Sequence, residues 1–187
     1  MKFKTFLAGC LGGLLSLNSC TNSPDMTDYA AYVNPFIGTG GHGHTFPGAI
    51  VPHGMISPSP DTRIDGWDAC SGYYYADSTI NGFSHTHLSG TGCCDYGDVL
   101  LMPTVGEQKY LPTGSQSQQM AYASAFSHQN ETAEPGYYSV FLDTYQVKAE
   151  LTASKRAAIH RYTFPESKEA GFILDLDYSL QRQTRWK

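Results

Sequence analysis

The stretch Tyr137-Tyr-Ser-Val-Phe-Leu-Asp143 decides the fold class, because it opens a series of short runs rich in β-branched and aromatic residues. A Pro135-Gly136 turn precedes it, and similar runs follow at residues 146–152, 157–164 and 171–178. Strands that recur about every 8–12 residues with turns between them are typical of an antiparallel sandwich. The sequence therefore predicts an all-β domain built as an antiparallel β-sandwich.

The run at residues 171–178 has the clearest period of two. One predicted strand face carries Phe172, Leu174, Leu176 and Tyr178, and the other carries Ile173, Asp175 and Asp177. Two shorter strands are predicted at residues 99–103 and 123–126, with a polar surface loop at residues 104–120 between them. In a chain of 187 residues, 41% of them hydrophobic, these strands suffice for one domain with a core.

A glycine-rich stretch upstream concentrates reactive side chains: Gly82-Phe-Ser-His-Thr-His-Leu-Ser-Gly-Thr-Gly-Cys-Cys-Asp-Tyr-Gly-Asp98. Polar groups on such a loop indicate a surface that receives a ligand. On a predicted strand here, Phe83, His85 and His87 would share one face, and two histidines at this spacing can chelate zinc or copper. The alternative is that the histidines form hydrogen bonds to a ligand or to neighbouring loops.

Two earlier loops are further candidates for binding. Residues 32–45 carry four glycines together with His42 and His44, but they lack the Gly-Lys-Ser/Thr sequence of a phosphate-binding loop. Residues 61–75 contain Trp67 with an arginine and several carboxylates, which is the composition of a sugar subsite. Trp67 could equally fill the core beneath its loop.

The N-terminus predicts a targeting segment. Two lysines precede an apolar run that is too short to be read as a transmembrane span. The following Leu17-Asn-Ser-Cys20 resembles a bacterial lipoprotein processing site, at which Cys20 would be acylated; the alternative is an ordinary signal peptide. We expect a signal peptide at residues 1–19, a polar tether at residues 20–31 and a lipid anchor in the bacterial envelope, facing either the periplasm or the cell surface.

Charge argues against two classes of partner. Loss of residues 1–19 would remove two lysines and lower the formal net charge from −5 to −7. An acidic chain is poorly suited to bind nucleic acid, and it lacks the polybasic segment that adheres to anionic lipid. We therefore expect no nucleic-acid partner and a membrane link through the lipid alone.

Three cysteines remain after Cys20: Cys70, Cys93 and Cys94. The odd number leaves at least one thiol outside any disulfide within this set. A bridge between the adjacent Cys93 and Cys94 would strain the peptide between them, whereas a bridge from Cys70 to either one stays open. A zinc site is weakly supported, because no Cys-X-X-Cys pair is present.

Seven motifs in order carry a resemblance to a known family. They are Tyr32-Val-Asn-Pro-Phe-Ile-Gly-Thr-Gly40, His44-Thr-Phe-Pro-Gly-Ala49, Ser59-Pro-Asp-Thr-Arg63, Gly82-Phe-Ser-His-Thr-His-Leu-Ser-Gly-Thr-Gly92, Tyr96-Gly-Asp-Val-Leu-Leu101, Pro135-Gly-Tyr-Tyr-Ser-Val140 and His160-Arg-Tyr-Thr-Phe-Pro165. Together they resemble the N-terminal domain of the family 92 glycoside hydrolases, which are exo-acting α-mannosidases. The resemblance runs from Tyr32 to about Leu176.

The resemblance implies a galactose-mutarotase-like β-sandwich over residues 32–187, incomplete and followed in the family by an α/α-toroid domain. It also implies an active site between the two domains that hydrolyses mannose-containing glycans with inversion and uses a Ca²⁺ ion. The family's catalytic acid and base both come from the second domain. This chain alone is therefore expected to be inactive, with no catalytic residue and with most calcium ligands outside it.

Within this chain the resemblance implies one wall of the substrate site. Trp67 matches the position where an aromatic residue contacts the leaving-group mannose in enzymes that favour α-1,2 links. The other implied substrate-binding residues are Phe46, Arg63, Cys70, His85 and His87. Two departures stand out: His53 replaces an expected aromatic residue, and the sequence from Ser179 loses the family's pattern.

Three functions follow from these observations. The first is the substrate-shaping N-terminal part of an exo-α-mannosidase. The alternatives are a non-catalytic carbohydrate-binding lipoprotein and a metalloenzyme that uses His85 and His87. With the resemblance, both histidines are interpreted as sugar contacts or loop anchors.

Overall fold

The computed structural model describes residues 27–110 and 119–180. In this part of the chain nine β-strands form two antiparallel sheets, and no α-helix occurs. Two single-turn 3₁₀ helices, Tyr29–Tyr32 and Trp67–Ala69, lie in the loops. The predicted antiparallel β-sandwich is confirmed.

The strands are numbered along the chain. The first sheet contains, in spatial order, Ser59–Asp61 (β1), Gly82–Ser84 (β3), Leu100–Val105 (β4) and Ala170–Asp175 (β9). The second sheet contains, in spatial order, Thr79–Ile80 (β2), Ser124–Glu134 (β5), Tyr137–Leu142 (β6), Val147–Ala153 (β7) and Ala158–Thr163 (β8). The short connections between β5, β6, β7 and β8 suit antiparallel pairing of consecutive strands.

Part of the core is formed by side chains of β6 and β7 that lie on the same face of the second sheet. The register places Tyr138 opposite Leu151 and Val140 opposite Ala149, and each of these residues is at most 1% exposed. Full burial of a large apolar side chain such as Leu151 contributes about 1.5–3 kcal/mol. The alternation seen in the sequence therefore directs the same positions of both strands into one core.

The strand expected to carry the paired histidines is shorter than predicted. β3 ends at Ser84, so His85 and His87 lie in the loop that follows it, and the predicted shared strand face is wrong. The ladder with β4 is formed only through Phe83 and Leu101. Beyond it the His85 amide donates to the Asp98 carbonyl (3.1 Å) outside any strand, which leaves the histidines on irregular backbone.

The run at residues 171–178 is a strand only as far as Asp175, where β9 ends. The Asp177 amide then donates to the Asp175 side chain (3.0 Å), which closes a turn instead of extending the strand. In β9 the buried residue is Ile173, at 5% exposure, whereas Phe172 and Leu174 are 50% and 57% exposed. The more apolar face of this sequence is thus the more exposed one.

The remaining strand predictions differ from the structure mainly at their ends. The largest difference is β5, which was predicted at residues 123–126 and runs from Ser124 to Glu134 with an irregular register between Phe126 and Glu131. Polar residues in this strand concealed its length. The predicted signal peptide and Cys20 lie outside the described residues. Within the described ranges, no helix has the length and hydrophobicity needed to cross a bilayer.

Candidate functional site

Trp67 stands on a tight turn that holds its indole at the surface. Gly66, with φ of +109°, leads into the turn, and the Ala69 amide donates to the Gly66 carbonyl (3.2 Å). The Cys70 amide donates in turn to the Trp67 carbonyl (3.3 Å). Ala69 and Cys70 are each 1% exposed, whereas Trp67 is 58% exposed. The turn therefore buries its small residues and presents the indole, which excludes the interpretation of Trp67 as a core residue.

Two imidazoles flank the indole. The His42 ring lies 5.0 Å from the Trp67 ring, and its Nδ1 forms a hydrogen bond with the Asp68 carboxylate. The His44 ring packs nearly perpendicular to the indole at 4.3 Å. His44 is buried, and its Nε2 has no hydrogen-bond partner among the described residues. The exposed indole is therefore fixed from two sides by side chains that come from a loop about 25 residues earlier.

Gly92 completes the packing around the indole. A Cβ atom added at Gly92 would lie 3.2 Å from Trp67 Nε1 and 3.2 Å from His44 Nδ1, and the backbone there has φ of +63°. Both conditions favour glycine, because a side chain would be strained in this conformation and would press on two rings. This gives a physical reason for the glycine at position 92 of the glycine-rich stretch at residues 82–98.

Two buried thiols lie beneath the turn. Cys70 (1% exposed) and Cys94 (7% exposed) belong to one buried cluster with Leu180. The Cys94 thiol donates to the Gly66 carbonyl (3.4 Å), at the start of the Trp67 turn. Cys70 is thus placed to support the turn from below, whereas its predicted role was contact with substrate.

No disulfide joins the three cysteines of the described chain: Cys70 and Cys94 are buried thiols and Cys93 is an exposed one. Burial raises the pKa of the Cys70 thiol, although backbone hydrogen bonds at Cys70 and Gly92 oppose the rise. Negative charge at Cys93 raises this pKa further.

Phe46 and His87, two of the predicted substrate-binding residues, contact each other. Their rings lie 4.9 Å apart, and both line an open cavity of about 460 Å³ whose wall also includes Met55. His87 Nε2 lies 2.7 Å from the Asp61 carboxylate, and Nδ1 lies 2.7 Å from the Ser57 carbonyl. The His87 and Asp61 side chains are fully buried. Both ring nitrogens of His87 are thus engaged within the protein, which does not favour metal ligation.

His85 is separated from His87 by its own contacts. Its Nδ1 lies 2.6 Å from the Val99 carbonyl, and its ring stacks on His160 at 4.8 Å. Burial, together with charge on His85, lowers the pKa of His160 to about 4. His85 therefore bridges the loop after β3 to β8 of the second sheet.

Arg63 is held by a partner on the same surface. Its guanidinium forms paired hydrogen bonds with the Asp77 carboxylate, at 2.7 Å through Nη2 and 2.8 Å through Nε. The group also lies 4.3 Å from the centre of the Tyr74 ring. Contact with a sugar hydroxyl would have to share or replace these interactions.

The predicted site residues thus fall into separate places. Trp67 lies beside Cys70, Phe46 lies beside His87, and His85 and Arg63 each have partners elsewhere. Sequence analysis placed His42 and His44 in a candidate binding loop but gave them no role at Trp67. In the described ranges, no group of three or more His, Cys, Asp or Glu side chains could hold a metal ion.

Comparisons with known proteins extend these observations. A family model described as the glycosyl hydrolase family 92 N-terminal domain matches residues 32–187, and so continues through the segment after Ser179. An uncharacterized secreted glycosidase of Arthroderma benhamiae is 32% identical over 141 residues, which are 75% of this chain and 18% of that protein. The chain therefore spans about a fifth of the length of this relative.

Two solved structures from Bacteroides thetaiotaomicron are similar as well. A family GH92 α-mannosidase in complex with mannoimidazole is 47% identical, with a TM-score of 0.76, over 81% of this chain and 20% of that one. A family GH92 inverting mannosidase is 34% identical, with a TM-score of 0.67, over 82% of this chain and 20% of that one. Both likenesses are confined to about a fifth of the longer protein.

Proposed function

Because this chain belongs to the N-terminal domain family of the family 92 glycosyl hydrolases, we propose that it shapes the substrate site of an inverting, calcium-dependent exo-α-mannosidase. The proposed substrates are mannose-containing glycans, with α-1,2 links preferred. The observation that carries the proposal is Trp67, which is exposed yet fixed by two imidazoles. Similarity to a mannosidase that binds mannoimidazole and to an inverting mannosidase supports it.

Trp67 would bind the sugar through its indole face. The apolar face of a pyranose can stack on an indole, and loss of water from both surfaces favours the contact. Asp68 and His42 lie beside the indole and carry polar atoms that can form hydrogen bonds with sugar hydroxyls. Hydrogen bonds from hydroxyls to a carboxylate are stronger than those between neutral groups, so these two side chains would orient the stacked sugar.

The chemistry itself is proposed to lie in the longer enzyme. Inverting hydrolysis needs an acid and a base on opposite sides of the bond, far enough apart to admit a water. Among the described carboxylates, Asp61 is paired with buried His87 and Asp68 is paired with His42. Among the described residues, no three or more His, Cys, Asp or Glu side chains form a group that could hold a metal ion. We therefore derive no step through calcium and assign the acid and the base to residues outside this chain.

Calorimetry with α-1,2-mannobiose tests the proposal. The purified chain is expected to bind the disaccharide without releasing mannose, and Trp67→Ala is expected to weaken binding at least about tenfold, or about 1.4 kcal/mol. Ile159→Ala is the matched control, because Ile159 is 66% exposed on the second sheet, away from the turn. Release of mannose by the chain, or equal binding by the Trp67→Ala variant, would contradict the proposal.

We also propose that the chain is anchored to the bacterial envelope by a lipid on Cys20. The support is the sequence Leu17-Asn-Ser-Cys20 after a short apolar run. Cells that express the chain with a labelled fatty acid are expected to incorporate the label, and the Cys20→Ser variant is not. Equal labelling of the two proteins would refute the anchor.

A further inference from the structure

The open cavity lined by Phe46 and His87, here called the Phe46 cavity, is a second place where a ligand could bind. Its volume of about 460 Å³ lies within the range of about 300–1,000 Å³ that is typical of small-molecule sites. None of the described residues that line it is Asp, Glu, Lys or Arg. His53 is exposed at its wall, and both ring nitrogens of His87 are engaged within the protein. A charged ligand would find no fixed opposite charge there, so the lining favours a neutral ligand.

We propose that the Phe46 cavity is a second sugar subsite, which binds a further hexose of a mannose chain whose neighbouring sugar stacks on Trp67. The chain would thus hold a longer glycan at two points instead of one. The link between the two subsites rests on the function proposed for Trp67, whereas sugar binding in the cavity has a readout of its own.

The same two loops reach both the Phe46 cavity and Trp67. In the first loop, His44 packs on the indole at 4.3 Å, and Phe46, two residues later, lines the cavity. In the second loop, an added Cβ at Gly92 would lie 3.2 Å from the indole nitrogen, and Ser89, three residues earlier, lines the cavity. Two residues of chain span at most about 7 Å, and three at most about 11 Å. The cavity is therefore a close neighbour of the indole, as adjacent sugars of one glycan require.

The lining of the Phe46 cavity offers both kinds of contact that a pyranose can make. The Phe46 and Tyr96 rings and the Met55 side chain provide apolar surface for the C–H face of the sugar. The Ser57 hydroxyl oxygen accepts a hydrogen bond from the His87 amide (2.9 Å), which leaves the hydroxyl hydrogen to be donated to a sugar oxygen. Tyr96 is 38% and Met55 76% exposed, so a sugar can reach both side chains from solvent.

The walls of the Phe46 cavity are held in place before any ligand binds. His53 and Tyr96, both in the lining, have φ of +56° and +68°, in the left-handed region that residues other than glycine seldom adopt. Such backbone persists only where the surrounding structure fixes it, and it is common at ligand sites. The Met55 amide donates to the Lys155 carbonyl (2.8 Å), and the Leu180 amide donates to the Tyr96 carbonyl (2.9 Å). A sugar would therefore bind without the cost of ordering these walls.

Calorimetry with sugars of two lengths tests the second subsite. The purified chain is expected to bind α-1,2-mannotriose at least about threefold more tightly than α-1,2-mannobiose, because the longer sugar reaches both subsites. Met55→Ala and Tyr96→Ala are each expected to abolish this difference. Ile159→Ala is expected to keep it, since Ile159 is exposed on the second sheet and does not line the cavity. Equal affinity of the wild type for both sugars, or a difference that survives in both cavity variants, would overturn the subsite.

An NMR signal from Met55 reports the Phe46 cavity directly. The chain has five methionines, and in protein labelled with ¹³C at the methionine methyl groups the Met55 signal is identified by its absence from the Met55→Leu variant. We expect α-1,2-mannotriose to shift this signal in the wild type and, at higher concentration, in the Trp67→Ala variant. The signal of Met102 serves as the internal control, because Met102 is fully buried in the core. A Met55 signal that does not move in the wild type would overturn the subsite.

Fluorescence follows the other subsite and separates the two proposals. The chain has two tryptophans, so the Trp186→Phe variant reports Trp67 alone. Both sugars are expected to reduce the quenching of Trp67 by acrylamide, because a stacked sugar shields the indole. Protection of Trp67 without a shift of the Met55 signal would overturn the second subsite and leave the proposed function standing. A shift of the Met55 signal without protection of Trp67 would support sugar binding in the cavity and contradict only the function proposed for Trp67.

Discussion

At the scale of single residues, the contact between His160 and His85 depends on the protonation of His160. The packing around Trp67 depends on the absence of a side chain at Gly92. His160 lies in β8 with its Nδ1 2.7 Å from the Tyr162 hydroxyl and its ring stacked on His85. Its Nε2 is buried without a hydrogen-bond partner in the described structure. Protonation of His160 would place a charge at a buried nitrogen for which the described residues provide no acceptor.

The chain is therefore expected to lose stability as the pH falls from 7 to 5. The pKa of His160 is lowered to about 4 in the folded protein, first by burial and then by charge on His85, against about 6.5 in an unfolded chain. Between these values the unfolded state binds more protons, so stability rises with pH, and the difference from pH 5 to pH 7 is about 2 kcal/mol.

Urea unfolding at both pH values measures this effect. The His160→Gln variant keeps a polar group near Tyr162 but does not titrate, and it should show a smaller loss of stability than the wild type. Histidines that do not contact His160 contribute equally to both proteins, so the difference between them isolates His160 together with its coupling to His85. An equal loss in the two proteins would show that His160 is not responsible.

Gly92 offers a second prediction at this scale. Gly92→Ala is expected to alter the fluorescence of Trp67 in the Trp186→Phe background, because the new methyl group would press on the indole and on His44. Gly90→Ala is the matched control: its φ of +72° carries a similar backbone strain of about 1–2 kcal/mol, but an added Cβ meets nothing within 4 Å. Equal spectra for the two variants would contradict the packing described around Trp67.

At the scale of strands, β9 shows how far alternation alone predicts a structure. A period of two locates a strand, but the buried side depends on which surface packs against it. Ile173 is buried, and Asp175 on the same side accepts a hydrogen bond from the Tyr122 hydroxyl (2.6 Å). On the other side, Phe172 contacts Tyr162 and Phe164 at 5.4 Å and stays half exposed.

Truncation of neighbouring residues in β9 tests this arrangement. Ile173→Ala is expected to lower the free energy of unfolding by about 2–4 kcal/mol, because it leaves a cavity in the core. Leu174→Ala, one position along, is expected to cost less than about 1 kcal/mol, because Leu174 is 57% exposed. Chemical denaturation of both variants measures the difference. A larger effect at Leu174 would reverse the assignment of the buried face.

The same reasoning separates what the sequence predicted at the site from what it did not. The sequence left open whether Trp67 is exposed or fills the core, and the structure exposes 58% of this residue. The partner of Arg63 is Asp77, and the partners of Trp67 include His44 and Gly92. These contacts join loops that are 14 to 25 residues apart in the sequence, and no local pattern specifies how such loops fold onto each other.

At the scale of the whole molecule, three large apolar side chains of β9 and the turn after it are exposed. Phe172, Leu174 and Leu176 are 50%, 57% and 58% exposed, and they are close together in sequence. Contiguous apolar surface of this kind promotes association.

The isolated chain is therefore expected to self-associate as its concentration rises, which sedimentation velocity would detect. Leu174→Lys combined with Leu176→Lys should reduce association without lowering the unfolding temperature, because both side chains are largely exposed. Ile159→Lys, at a residue 66% exposed on the other sheet, serves as the control with one added charge. A monomeric wild-type chain at all concentrations would contradict the prediction.

The order of the strands also has a consequence for how the chain folds. β5 to β8 pair each with the next, so this part of the second sheet can form from contacts that are close in sequence. The first sheet instead pairs Leu100 with Asp175 across β4 and β9. During synthesis, the edge of β4 that pairs with β9 therefore stays unpaired until β9 has been synthesised. The first sheet can therefore be completed only after residues 124–163, which separate its two parts in the sequence and form β5 to β8, have been synthesised.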